Sequence, residues 1–367
     1  MRCNLGALSR DTCRGWCLAG FWTPEAAAEH PAAIEQLATE YSRCGADVTQ
    51  TYTFQAAALQ GSGFPPGCDV TSQQVNEAAC AVAARVRAAR GGLVAGGLTQ
   101  TGLYKPGQNC KQQVQEVYRK NLATLVSGGV DFLILEFFRH VTELEWAVEV
   151  CLESGLPIGA MLCMGPDGEE GGASVEHCAV RVARAGAHLV GVNCLFDPPV
   201  CLTVMARMKA ALKEAGLDST HLMAQPVGWR VPEGSSWGSP ALPEFPFSME
   251  PRQITRWEAR KWAREAYNLG IRYIGGCCGF EPYHIRAMAE ELAAERGRLP
   301  EASKKSDHDL SIHAELEGKG LARYRNKGNL DWWMSLQPST GRPLSNVMAP
   351  RAEFMDKPSL LTGGIID

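Results

Sequence analysis

The sequence lacks any apolar run long enough to cross a bilayer, because acidic residues such as Asp131 and Glu136 interrupt each candidate, and a membrane-spanning helix needs about 18 consecutive apolar residues. It also lacks Asn-x-Ser/Thr glycosylation sequons and the basic, apolar opening of a secretory signal. The 14 cysteines are therefore scattered through a chain with no other mark of an oxidising compartment. We expect a soluble, cytoplasmic protein whose thiols stay reduced.

The sequence also lacks an excess of charge of either sign. Its 36 lysine and arginine residues nearly balance 40 aspartate and glutamate residues, which leaves a formal net charge of −4. Proteins that bind nucleic acids or anionic membrane surfaces usually carry a clear basic excess. We therefore expect no nucleic-acid partner, no membrane partner and a small-molecule substrate.

A regular alternation of β-rich runs and amphipathic stretches follows a first helix that the sequence predicts from Thr23 to about Cys44. Strands are predicted at 46–54, 92–100, 130–138, 157–165, 188–196, 221–229 and 271–280, and helices near 74–90, 111–128, 142–154, 174–186, 199–215, 251–269 and 282–296. This alternation is typical of right-handed βαβ units and a parallel sheet. Eight helices and seven strands predict an α/β fold of the (β/α)8 TIM-barrel type whose first strand is missing or atypical.

An open, doubly wound sheet is the alternative fold. It would need a Gly-x-Gly-x-x-Gly turn after its first strand, whereas the glycines at 91–97 lie before and within a predicted strand. The barrel is therefore favoured. We divide the chain into an irregular leader (1–18), a barrel domain (19–300) and a C-terminal extension (301–367) that wraps the barrel or a partner subunit.

Two adjacent cysteines, Cys277 and Cys278, lie inside the glycine-rich segment 275–279 at the end of the last predicted strand. Successive strand side chains point to opposite faces, so both thiols reach one object only if the backbone turns, which glycine permits. In a barrel the carboxyl ends of all strands face the active site. This rule adds Cys194, with Cys163 as a spare candidate. Two buried free cysteines, or a redox-active Cys277–Cys278 disulfide, are the alternative interpretations.

Three strand-end thiolates predict a site for one Zn²⁺ per chain with an open fourth position. Such a site carries net negative charge, so it suits a bound substrate thiolate better than an activated water. The chemistry implied is alkyl transfer to sulfur from a positively charged donor, which aromatic faces attract. Trp22, Phe54, Phe137 and Phe138 lie near strand ends or the loops at the barrel mouth.

A carboxylate within the apolar run 133–138, Glu136, needs a partner. A substrate ammonium is one candidate, and Arg139 or a lysine from a neighbouring loop is the other. Asn193, Thr51 and Gln225 are polar residues at other predicted strand ends, where they could bind a substrate carboxylate.

Two segments resemble the homocysteine S-methyltransferase family: GVNC at 191–194 and GGCCGFEPYHIRAMAEEL at 275–292. TQTYTF at 49–54 and REAYNLGIRYIGG at 264–276 are similar to the betaine-using members of that family. The resemblance implies a (β/α)8 barrel that transfers a methyl group from betaine to homocysteine, gives methionine and works as a homo-oligomer. It also implies zinc ligands Cys194, Cys277 and Cys278, and a contact between Glu136 and the homocysteine amino group.

The chain departs from that family pattern at two places. Nothing in residues 1–18 matches the family's first strand and its Asp-Gly-Gly-like turn, whose acid helps to hold homocysteine. Gln55 and Phe137 stand where betaine enzymes usually carry tyrosine, so S-methylmethionine is an alternative donor. A catalytically silent homologue that binds subunits of an active enzyme is the alternative function.

Overall fold

Seven parallel strands form one sheet in chain order in the computed structural model, which describes residues 23–57, 70–231, 237–246 and 248–303. The strands are β1 (Val48–Gln50), β2 (Leu93–Thr99), β3 (Phe132–Phe138), β4 (Ile158–Leu162), β5 (Leu189–Asn193), β6 (His221–Gln225) and β7 (Ile271–Ile274). Helices connect the consecutive strands, as parallel pairing requires. The predicted seven strands of a TIM-type α/β fold are confirmed.

The helices agree closely with the predicted stretches. They are α1 (Ala26–Glu29), α2 (Pro31–Arg43), α3 (Ser72–Arg90), α4 (Lys111–Ser127), α5 (Val141–Cys151), α6 (Val175–Arg184), α7 (Pro198–Glu214), α8 (Arg256–Leu269), α9 (Pro282–Glu291) and α10 (Ala293–Arg296). No helix within the described ranges is both long and apolar enough to cross a membrane. Helix α8 begins later than predicted because Thr255 and Glu258 form a capping box there.

The first predicted helix is divided in two. The sequence places its start at Thr23, whereas the structure has a single turn, α1, followed by α2 from Pro31. A proline inside a helix removes one backbone donor and its ring clashes with the carbonyl four residues earlier, but proline is well tolerated at a first helical position. Pro31 therefore ends one helix and starts the next.

The predicted strands run too far at their carboxyl ends. Strand β5 ends at Asn193 where the prediction continues to 196, and β7 ends at Ile274 where it continues to 280. Cys194 and Leu195 have φ values of 62° and 60°, and residues in that left-handed region leave an extended ladder. The residues beyond the strand ends are therefore turned out of the sheet, where a barrel places its site.

Strand interiors pack on both faces, as expected for a parallel sheet. All seven residues of β3 are buried. Inside the sheet, Ile134, Met161 and Met223 belong to one apolar cluster, and a larger cluster fills the layer between strands and helices. Only glycine fits at position 191, since a Cβ there would lie 1.6 Å from the Met223 carbonyl oxygen.

The sheet has two edges, β1 and β7, and these strands do not pair with each other in the described part of the chain. A cavity lies between them, behind helices α2 and α9. Contacts outside the sheet bridge the gap: the Tyr41 hydroxyl donates to the Phe280 carbonyl at 2.7 Å, and Arg296 pairs with Asp47 at 2.9 Å. Residues 1–18, where the strand count placed the deficit, lie outside the described ranges.

The predicted C-terminal extension is described only over its first residues. Glu301–Ser303 form a 3-10 turn in which Glu301 pairs with Arg90 and, at 3.5 Å, with Arg43. The Ser303 hydroxyl donates to Glu290 at 2.6 Å. The role of residues 304–367 in assembly stays a prediction.

Replacing Glu143 by alanine is expected to cost about 3 kcal/mol of unfolding free energy. This carboxylate is 2% exposed, and one of its oxygens accepts hydrogen bonds from the Thr101 N–H and hydroxyl, both at 2.8 Å, and from the Tyr118 hydroxyl at 3.0 Å. Each buried donor left without an acceptor costs about 1–3 kcal/mol. Chemical denaturation of the variant and the parent measures the loss.

Glu149→Ala, on the same helix, is the matched control. Glu149 pairs with Lys111 at 2.7 Å, but both side chains are more than two-fifths exposed, and such exposed pairs contribute about 0–1 kcal/mol. Equal losses in the two variants would contradict the buried-acceptor explanation.

Candidate metal centre

Cys194, Cys277 and Cys278 bring their sulfur atoms within 4.8 Å of one another. The Cys194–Cys278 and Cys277–Cys278 sulfur pairs are 3.9 Å and 4.0 Å apart. Zinc–sulfur bonds of about 2.3 Å in a tetrahedron place two sulfurs about 3.8 Å apart. The three free thiols therefore fit a soft metal ion with little movement.

Backbone hydrogen bonds to the strand β6 region place these cysteines. The Cys194 N–H donates to the Gln225 carbonyl at 2.9 Å, and the Cys277 N–H donates to the Pro226 carbonyl at 2.7 Å. The left-handed backbone of Cys194 then turns its thiol toward the end of β7. Both sides of the triad are thus tied to the carboxyl end of β6, at residues 225 and 226.

Glycine allows the turn that carries the paired cysteines. A Cβ at Gly276 would lie 2.1 Å from the Phe280 ring, and one at Gly279, where φ is 82°, would lie 2.7 Å from the Trp229 indole nitrogen. Side chains would therefore separate the loop from the groups that pack against it. The glycines of segment 275–279 thus allow the backbone turn that the sequence analysis expected of them.

The other two thiols, on Cys277 and Cys278, raise the pKa of Cys194 well above its usual value, and burial adds to the effect. Three adjacent thiolates repel one another, so they need a cation to coexist at neutral pH. Helical cysteines differ, because burial alone raises the pKa of Cys80 to about 11. Such an environment is typical of structural, unreactive cysteines.

Cys163, the spare candidate, is not a member of the triad. It is 5% exposed and packs in an apolar cluster with Phe54, Phe137 and Leu195. Its thiol donates to the Asn193 side-chain oxygen over 3.7 Å. Cys163 is thus a core residue beneath the site.

A small cavity next to Cys277 contains several of the predicted polar residues. Its lining includes Gln50, Thr51, Phe54, Glu136, Gln225 and Cys277. Glu136 is 2% exposed and accepts a hydrogen bond from the Gln50 side chain at 2.5 Å. Arg139, one candidate partner, pairs with Glu170. The cavity therefore presents a buried carboxylate beside the thiols.

Thr51 has a structural part in this cavity. Its hydroxyl accepts a hydrogen bond from the Gly97 N–H at 2.9 Å and lies 3.0 Å from the Thr53 hydroxyl. These bonds tie the end of β1 to β2. Gln50 was not among the predicted site residues, although the strand-end rule that selected Thr51 applies equally to it.

The two aromatic candidates Phe54 and Phe137 form one wall beside the triad. Their ring centroids are 5.3 Å apart at an interplanar angle of 68°, and Cys194 packs against the same cluster. Phe138 differs, because it is fully buried and packs near Tyr118 on the helix side. Trp22 lies outside the described residues.

The chain matches known proteins over most of its length. A family model described as homocysteine S-methyltransferase matches residues 7–292. The chain belongs to the homocysteine S-methyltransferase family. The family resemblance predicted from the cysteine segments is confirmed.

Relatives of this methyltransferase chain include enzymes named for two methyl donors. It is 49% identical to betaine–homocysteine S-methyltransferase 1 of Danio rerio over 343 residues, which cover 92% of this chain and 83% of that protein. It is 47% identical to S-methylmethionine–homocysteine S-methyltransferase BHMT2 of Rattus norvegicus over 335 residues, which cover 90% and 88%.

The fold is shared with solved structures. The metallated form of the homocysteine methyltransferase MmuM from Escherichia coli is 18% identical, with a TM-score of 0.57 over 77% of this chain and 91% of that chain. Its oxidised form has a TM-score of 0.56 at 19% identity, over 78% and 92%. At these identities the likeness shows the barrel-type fold.

Proposed function

We propose that this chain transfers a methyl group from betaine or S-methylmethionine to homocysteine, giving methionine, with one Zn²⁺ held by Cys194, Cys277 and Cys278. The observation that carries the proposal is the convergence of three thiols from two strand ends within 4.8 Å. Three protein ligands leave the fourth tetrahedral position for the substrate sulfur. Zinc held by these three cysteines would lower the pKa of the substrate thiol, so that its thiolate would persist at neutral pH.

The residues around the triad supply binding and orientation. Glu136, buried in the adjoining cavity, binds the homocysteine ammonium, since a buried carboxylate favours a cationic partner. Phe54 and Phe137 present aromatic surface to the cationic methyl donor, an attraction of about 0.5–2 kcal/mol per ring. The donor already carries its positive charge, so methyl transfer needs no acid or base from the protein. It needs only in-line placement of the attacking sulfur and the methyl carbon.

Phe137 and Gln55 are the two residues that bear on the choice of methyl donor. Phe137 carries no hydroxyl, and the Gln55 N–H donates to the Thr99 hydroxyl at 3.2 Å with a φ of 65° at Gln55. Neither residue offers the phenol found in betaine enzymes. Relatives named for each donor are similarly close in sequence, so both donors belong in the proposal.

The proposal keeps two further predictions, a homo-oligomer (dimer or tetramer) and a cytoplasmic location. The silent-homologue alternative is not favoured, because three thiols converge and a buried carboxylate lines the adjoining cavity. The test is methionine formation from homocysteine with betaine or with S-methylmethionine, together with zinc analysis of the purified protein. We expect about one zinc per chain and product with at least one donor. Zinc-loaded, folded protein that forms no methionine with either donor would refute the proposed function.

A further inference from the structure

Asn193 makes a connection across the site that the roles above leave unused. It is 1% exposed at the carboxyl end of β5. Its side-chain Oδ1 accepts a hydrogen bond from the backbone N–H of Phe137, on β3, at 3.0 Å. Its Nδ2 has no hydrogen-bond partner within the described part of the chain. A buried amide thus reaches past β4 to hold one backbone group.

Phe137 needs such a contact. Its φ is 61°, a left-handed backbone that is rare for a bulky aromatic residue and persists only where surrounding contacts hold it. The pairing of β3 with β4 skips this residue, because the register shifts between Leu135 and Phe138. The Asn193 carbonyl therefore replaces the partner that a continuous ladder would supply.

Asn193 is also next to the candidate metal centre. Asn193 directly precedes Cys194, whose own φ is 62°. The Phe137 ring packs on Phe54 and belongs to the cluster that Cys194 contacts. One side chain thus fixes the position of the aromatic wall relative to the first thiol of the triad.

We propose that Asn193 is a positioning residue for methyl transfer, which holds Phe137 in its left-handed conformation and so keeps the Phe54–Phe137 wall in register with Cys194. This rests on the proposed function, because it assigns the wall to the cationic group of the methyl donor. Asn193 acts through Phe137, and the effect falls on donor binding more than on metal or homocysteine binding.

The test compares Asn193→Ala with the parent protein by crystal structure, zinc content and steady-state kinetics. We expect φ of Phe137 to leave the left-handed region and the KM for the methyl donor to rise about tenfold. Zinc per chain and the KM for homocysteine stay within about twofold. Asn193→Asp keeps an acceptor for the Phe137 N–H, so it restores φ and most of the donor KM.

Asn121→Ala is the matched control. Asn121 is a buried asparagine, 2% exposed, that accepts hydrogen bonds from Ser72 and Asn76 between helices away from the site. It is expected to lower stability without changing donor KM. If Asn193→Ala lowers stability but leaves φ of Phe137 and donor KM unchanged, or if it loses zinc, the positioning role is wrong.

Two results are kept separate by design. Absence of methionine from the parent protein refutes the proposed function. The φ of Phe137 in the variant still tests whether Asn193 holds the Phe137 backbone. Should Asn193→Ala fail to fold, Asn193→Ser is measured in the same way, since its shorter side chain cannot span the distance to Phe137.

Discussion

Replacing Cys277 by serine is expected to remove bound zinc and to lower methionine formation at least about 100-fold. Cys277 is 4% exposed, and its sulfur is one of the three that converge. Serine is nearly the same size, but its hydroxyl stays protonated at neutral pH and is a poor ligand for a soft metal. Even residues that only orient metal ligands cost about 10–100-fold when they are changed, so loss of a proposed ligand is expected to cost more.

Zinc analysis, the turnover rate and the melting temperature are measured together on the Cys277→Ser variant. Cys178→Ala is the control, because Cys178 is a fully buried thiol on helix α6 whose pKa burial raises to about 12. It is expected to keep its zinc and its turnover while losing some stability. Full zinc content and full activity in Cys277→Ser would remove Cys277 from the ligand set.

Glu136→Gln is expected to raise the KM for homocysteine about 10- to 100-fold. The substitution keeps the size and one acceptor oxygen for Gln50, but it removes the negative charge that we propose binds the homocysteine ammonium. Hydrogen bonds to charged groups contribute about 1.5–3 kcal/mol, and each 1.4 kcal/mol is a tenfold change in affinity. Zinc content and the KM for the methyl donor are expected to change little.

Steady-state kinetics with each substrate varied in turn separates these effects. Glu170→Gln is the matched control, since Glu170 pairs with Arg139 near the surface and its charge does not line the cavity beside Cys277. It is expected to leave both KM values within about twofold. An unchanged homocysteine KM in Glu136→Gln would show that Glu136 binds no ammonium and has a structural role.

The periodicity of the sequence determined the fold class and the order of elements. Apolar runs such as Leu133–Leu135 are buried on both faces in the structure, and this is the pattern that a parallel sheet imposes. The strand-end rule also brought Cys194 together with Cys277 and Cys278, because all parallel strands end at one face. Local signals of this kind depend on spacing along the chain, so a single sequence contains them.

Only the tertiary structure decided how the site is held. The Asn193 contact with Phe137 joins residues 56 positions apart, and the Gln50 contact with Glu136 joins residues 86 apart. No local propensity specifies either pair, since both depend on which strands become neighbours and where each leaves the sheet. Left-handed backbones at Phe137 and Cys194 likewise have no signal in residue type, because aromatic and cysteine side chains disfavour that region and adopt it only when long-range contacts require it.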